Sequence, residues 1–117
     1  MQRTEDGGIV ISCDFCGTDW DQLLPMVEGH RGSVLCLECL KQALDQALHT
    51  ADEIACTLCL EKRRPAARTW THPRPRPSRG LKPAAVVCWS CIRQAATRLA
   101  KDEEVDFHWD PAAYPRN

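Results

Sequence analysis

Eight cysteines fall into four Cys-x-x-Cys pairs, Cys13/Cys16, Cys36/Cys39, Cys56/Cys59 and Cys88/Cys91, with none left over. Such a turn sets two sulfurs on one side of a tight loop, at the separation of two corners of a tetrahedron. Two turns facing each other then hold one zinc ion, with each sulfur about 2.3 Å from the metal. One pair alone has the spacing of a thioredoxin-like redox motif, but four complete pairs point to two four-cysteine metal sites. The expected ligands are all eight cysteines and the expected cofactors are two Zn2+, with iron the other metal that four thiolates accept. Sites closed by four cysteines are structural as a rule, whereas a catalytic zinc keeps a position open for water. No serine–histidine or paired-carboxylate spacing stands out either, so the chain is expected not to be an enzyme. A redox pair free of metal is the enzymatic alternative, and disulfides in an exported protein are the structural one.

Two pairings compete: sequential, or a cross-brace in which the first and third pairs share one ion. An internal repeat favours the sequential one. Val34-Leu35-Cys36-Leu37-Glu38-Cys39-Leu40-Lys41-Gln42-Ala43 aligns with Val86-Val87-Cys88-Trp89-Ser90-Cys91-Ile92-Arg93-Gln94-Ala95. Each copy is a short β-like run, a cysteine pair and a helical pattern, and a duplicated unit is expected to carry its own complete site.

These pairs need elements to hold them. After Cys36, Leu37, Leu40, Leu44 and Leu48 recur at helical spacing, and after Cys88, Trp89, Ile92, Ala96 and Ala100 do the same, with Leu99 beside them. The second pair of each module therefore lies at a helix N-terminus, where free N–H groups and the positive dipole end favour thiolates. In the first module Ile9-Val10-Ile11 reads as a strand, Gly17 supplies a positive φ after the knuckle, 29–32 is a turn, and Ser33-Val34-Leu35 is a second strand. Knuckle, hairpin and helix in that order give a treble-clef-like unit. The fold class expected is a small metal-stabilised α+β protein of two tandem treble-clef-like zinc fingers: residues 9–50, residues 51–104, and a tail at 105–117. Modules of this size bury too little apolar surface to fold well without a staple. Trp20, Leu23 and Leu24 are expected to cap the first small core.

The residues Cys13-x-Phe15-Cys16-Gly17, Met26-Val27-Glu28-Gly29 and Val34-Leu35-Cys36-x-Glu38-Cys39-Leu40 resemble the N-terminal zinc-binding domain of the ClpX unfoldase, over about residues 12–49. The resemblance implies a treble clef with Cys13, Cys16, Cys36 and Cys39 as zinc ligands. It also implies a domain that dimerises and docks substrates and adaptors. No Gly-x-x-x-x-Gly-Lys phosphate loop is present, so unfoldase activity is not implied. The second module departs further: Leu60 stands where the first has Gly17, and 28 residues (60–87) separate its cysteine pairs against 19 (17–35). Two copies in one chain are expected to pair with each other as a pseudo-dimer.

That longer segment is basic. Residues 60–83 carry Lys62, Arg63, Arg64, Arg68, Arg74, Arg76, Arg79 and Lys82 against Glu61 alone, a charge of +7 in a chain whose net charge is −1. Pro73-Arg74-Pro75-Arg76-Pro77 is expected to be extended. Arg63, Arg64, Arg68, Arg74, Arg76 and Arg79 would neutralise phosphates and Trp70 would stack on an exposed base. The same segment would also suit an acidic protein surface, or serve as a solvated counterweight to the acidic remainder; a pI near 6.4 speaks against a nucleic-acid binder. His30, His49, His72 and His108 are expected at the surface. The aromatic tail, Phe107, Trp109 and Tyr114, suits either a docking peptide or a strap over a helix. Asp102-Glu103-Glu104 sits unfavourably after a helix C-terminus. No apolar run approaches a membrane span, and Met1 to Gly8 is polar with Glu5 and Asp6, unlike a signal peptide. The expectation is a cytoplasmic protein-interaction module with a protein partner and no membrane, nucleic-acid binding being the alternative.

Overall fold

In the computed structural model the residues described are 2–21, 23–49, 53–63, 67–73 and 85–115. The chain opens with a hairpin, β1 (Gln2–Glu5) against β2 (Gly8–Ile11), which turns through Asp6 and Gly7, both at positive φ. The first cysteine knuckle follows. Then β3 (Met26–Glu28) pairs antiparallel with β4 (Val34–Cys36), bringing Val27 opposite Leu35, and a 3-10 turn at His30–Gly32 joins them. Helix α1 (Leu37–Gln46) starts at Cys36, whose sulfur takes the place of a capping oxygen and accepts from the Cys39 N–H at 3.4 Å.

The second half repeats the order of knuckle, paired strands and helix. β5 (Leu48–His49) ends the first module, and β6 (Ile54–Ala55) leads into the second knuckle and pairs with β7 (Lys62–Arg63). β8 (Arg68–Trp70) pairs with β9 (Val87–Cys88), placing Trp70 opposite Val87, and helix α2 (Trp89–Lys101) follows. Val27 and Trp70 therefore hold the same register position, each facing the residue just before the second cysteine pair.

The modules do not stand apart. β5 of the first adds to β8 of the second, so one three-stranded sheet, β5-β8-β9, spans both. Helices α1 and α2 pack together, and Leu40, Ala43 and Leu44 join Ile92, Ala96 and Leu99 in one continuous core. The β5 pairing corrects the leucine stripe. A helix reaching Leu48 was the expectation, but α1 stops at Gln46, and Leu48 lies in a strand with 73% of its surface exposed. Arg68 donates to the carbonyl of Ala47 at 3.3 Å, satisfying one of the acceptors that the end of the helix leaves open.

The cap expected of Trp20, Leu23 and Leu24 is also corrected. Leu24 packs on the core, but Leu23 is 84% exposed and Trp20 is partly so. Asp21 accepts from the N–H groups of Leu23 and Leu24, which turns the chain before Leu23 can reach inward. At the other end, helix α2 stops at Lys101, and Asp102 accepts from the Glu104 N–H in a tight turn beyond it. The tail folds back as a strap. Phe107 is buried, Trp109 and Tyr114 stack at 5.9 Å, Arg93 lies over the Trp109 ring at 5.2 Å, and the Trp89 indole donates to Pro115 O at 2.6 Å. Among the described residues no helix is long and apolar enough to cross a membrane.

Candidate metal centres

Each knuckle is held by the same set of bonds. In the first, Gly17 N–H reaches Cys13 O at 2.9 Å, and the Cys36 N–H points at the Cys13 sulfur at 3.4 Å. In the second, Leu60 N–H reaches Cys56 O at 2.8 Å, and the Cys88 N–H points at the Cys56 sulfur at 3.3 Å. Each knuckle is also locked to the strand before its helix. Asp14 N–H donates to Val34 O at 2.9 Å and its carboxylate accepts from Val34 N–H at 2.6 Å, while Thr57 does the same with Val86 at 2.7 and 3.0 Å through its hydroxyl. The backbone repeat thus extends to the knuckles, where only the cysteines repeat in sequence. Gly17 takes φ 78° and Leu60 follows it at φ 63° without being glycine.

These bonds bring Cys13, Cys16, Cys36 and Cys39 together, and separately Cys56, Cys59, Cys88 and Cys91, with the sulfurs of each set within 4.8 Å of one another. This is the sequential pairing. Opposite edges of each set measure 3.7 Å for Cys13–Cys39 and Cys16–Cys36, 3.8 Å for Cys56–Cys91 and 3.9 Å for Cys59–Cys88, with the other separations inside 4.8 Å. A tetrahedron with metal–sulfur bonds of about 2.3 Å has edges of about 3.8 Å. A disulfide would need about 2.05 Å. The thiols thus stand where a tetrahedral ion requires them, and each set can hold a metal ion.

Without an ion the thiols of a set titrate against one another. Hydrogen bonds with Cys13, then Cys36 and Cys39, hold Cys16 far below the ordinary thiol range. Those with Cys13 and then Cys16 push Cys36 and Cys39 well above it. Cys13 itself falls to about 7: its hydrogen bond with Cys16 raises it, and those with Cys36 and Cys39 outweigh that. In the second set Cys56 and then Cys88 raise Cys91, and Cys88 raises Cys56. Four anionic sulfurs in one place repel, so some keep their protons. A divalent cation at the centre removes that conflict, and its binding displaces those protons.

The other residues singled out in the sequence are placed differently. Trp70 is only 3% exposed: its ring packs on Phe15 at 5.6 Å and its N–H donates to Gln46 Oε1 at 3.1 Å. It is a core residue and offers no face to a nucleic-acid base, which corrects the stacking role expected of it. Arg68 is half-buried with its guanidinium 5.3 Å from the centre of the Trp89 ring and is bound to the chain at Ala47, so it too serves the junction between modules. Arg64, Arg74, Arg76 and Arg79, with most of the proline-rich run, lie outside the described residues, as does the Arg63 side chain. None of the four histidines joins a cysteine set; His72 packs edge-on against Trp70, and His30 donates its backbone N–H to Leu58 O at 2.7 Å.

Sequence reasoning missed how the modules grip each other. Gly29 lies so close to the second knuckle that a Cβ there would sit 2.7 Å from Leu58 O and 2.8 Å from Leu58 Cα. Phe15 and Leu58 hold equivalent knuckle positions, and each meets the hairpin of the other module. No protein-family model, curated protein or solved structure matches the chain. The fold and sites define a small α+β protein with two four-cysteine sites, each able to hold a metal ion.

Proposed function

We propose that the chain is a non-enzymatic zinc-binding interaction module of the ClpX-type, treble-clef kind, duplicated within one chain, in which two structural zinc ions fix surfaces that dock a protein partner. One observation carries the metal reading: four sulfurs at tetrahedral separations surround each site and leave no position open for water or substrate. Zinc then supplies folding free energy to two modules that share one small core. The intimate packing of α1 on α2 supports pairing within the chain. The resemblance over residues 12–49 and the exposed Ile9, Trp20 and Leu23 support a docking role. Metal analysis and absorbance spectroscopy test the first part: two colourless ions per chain support zinc, and charge-transfer bands in the visible would assign iron. Affinity capture at moderate salt, with Trp20→Ala and Leu23→Ser in parallel, tests the second. A partner retained equally by both variants, or no partner at all, counts against docking through this surface.

Nucleic-acid binding is the second reading, and charge segregation is what favours it: residues 60–83 carry +7 and the rest of the chain carries −8. Trp70 and Arg68 are withdrawn from it, leaving Arg63, Arg64, Arg74, Arg76 and Arg79 to contact phosphates. Anisotropy titrations of short DNA and RNA across a salt series decide it. Binding that falls steeply with salt and disappears when those five arginines become glutamine would support this reading over the first.

A further inference from the structure

The two metal centres share one backbone plan but not one cover. In the first, Trp70 reaches across from the second module and bonds to Gln46 at 3.1 Å. The equivalent residues on the other side are Val27 in place of Trp70 and Arg98 in place of Gln46, seven residues beyond Cys91 as Gln46 is beyond Cys39. Valine is too small to fill the space an indole takes. A cleft of about 460 Å³ remains between the first module's hairpin and α2, lined by Val27, Gly29, Leu58, Arg98 and two metal-site cysteines, Cys59 and Cys91.

Exposure follows the same division. In the first site Cys13, Cys36 and Cys39 are buried, and only Cys16 is half-exposed, its sulfur 3.2 Å from the Thr18 hydroxyl. In the second site both Cys59 and Cys91 are half-exposed, and both open on the cleft. Oxidation of a thiolate pair needs one sulfur that the oxidant can reach and a second close enough to attack the sulfenic acid formed on it. Cys59 and Cys91 meet both conditions, with sulfurs within 4.8 Å. The first site offers the oxidant one accessible sulfur, Cys16, where the second offers two that share a cleft.

We propose that Cys59 and Cys91 form a thiol-modification site, at which a small hydroperoxide entering the cleft oxidises the pair and releases the second metal ion while the first is retained. One thiolate attacks a peroxide oxygen and breaks the O–O bond, giving a sulfenic acid and a hydroxide from hydrogen peroxide. The second thiolate displaces hydroxide from the sulfenic sulfur and forms the S–S bond. Two electrons pass from sulfur to oxygen, two protons from solvent convert the hydroxides to water, and the ion, short of two ligands, leaves to a chelator.

The inference rests on the two-zinc reading, so the intact 117-residue chain is first assayed for bound metal. Fewer than two ions per chain overturns that reading and this inference with it. The zinc-loaded chain is then challenged with limiting hydrogen peroxide. Metal release is followed with a chromogenic chelator, and the remaining thiols are alkylated and mapped by peptide mass spectrometry. The expected result is one ion released roughly tenfold or more faster than the other, since each 1.4 kcal/mol needed to expose the buried Cys13, Cys36 and Cys39 slows their oxidation tenfold. Cys59 and Cys91 are lost from the alkylated pool in that first phase. Release of both ions together, or first loss at Cys16, Cys36 or Cys39, overturns the inference and leaves the two-zinc reading intact. Val27→Phe, which narrows the cleft, is expected to slow the fast phase. A folded Val27→Phe chain with an unchanged fast phase overturns the role of the cleft.

Discussion

Leu60 is the sharpest place to test the duplicated backbone. It occupies the knuckle position of Gly17 with φ 63°, where its N–H closes the turn on Cys56 O at 2.8 Å. An L-residue in this region costs roughly 1–2 kcal/mol, while glycine there costs up to about 1 kcal/mol of chain entropy. Glycine should therefore be favoured over alanine by about 1 kcal/mol at this position, the reverse of their order in a helix or strand. Both substitutions also remove the leucine side chain. It is 45% exposed, so about half of the 1.5–3 kcal/mol of a fully buried leucine, roughly 1 kcal/mol, is lost in either case. The two effects nearly cancel in Leu60→Gly, which should unfold close to the parent, while Leu60→Ala should be about 1 kcal/mol less stable. For a chain of this size the variants should differ by about 4 °C in melting temperature. The assay is thermal unfolding by circular dichroism at one buffered free-zinc concentration, because bound metal adds to apparent stability by mass action. Leu60→Ala as stable as Leu60→Gly would refute the reasoning, since it would mean that the second knuckle does not share the left-handed turn of the first.

Gly29→Ala should destabilise the chain by about 1–3 kcal/mol, although Gly29 needs no positive φ, because its new Cβ meets the Leu58 backbone; chemical denaturation of the loaded protein measures this. Trp70→Phe, which removes the N–H bonded to Gln46 and part of the buried indole, should cost about 2 kcal/mol in the same assay, roughly half from the lost bond and half from the space left in the core. Metal affinity should fall with falling pH. Cys36 and Cys39 are raised and keep their protons at neutral pH, and the ion must displace both, so the affinity of the first site should drop roughly 100-fold per pH unit. Calorimetry in buffers of different ionisation enthalpy should show at least two protons released per ion there. Chelation at neutral pH should abolish most of the helical signal, and added zinc should restore it; a metal-free chain with full helicity would count against zinc as the staple.

Much of the candidate site was legible because it is local. A Cys-x-x-Cys turn brings two sulfurs together whatever surrounds it, and the repeated run through Cys36–Cys39 and Cys88–Cys91 identified which turns belong together. Both helices begin where the apolar spacing predicts, at Leu37 and Trp89, since each start is set by the strand and cysteine immediately before it. The end of α1 was not legible. Its leucine stripe runs on through Leu48, and only the arrival of β8, more than twenty residues later in the chain, turns that leucine into a strand residue.

The basic segment shows the same limit. Its composition describes a phosphate-binding loop, and nothing in the order of residues 60–83 distinguishes Trp70 as a core residue from Trp70 as a stacking platform. That depends on Phe15 and Gln46, which lie in the other module. Likewise the sequence treats the two cysteine sets as near equals. By itself it determined the ligand types, their grouping into two sets and the helix starts, because these rest on neighbours a few residues apart. The tertiary structure decided which sulfurs are buried and which open on a cleft, because that depends on how the opposite module packs against each knuckle, with an indole at one position and a valine at the equivalent one.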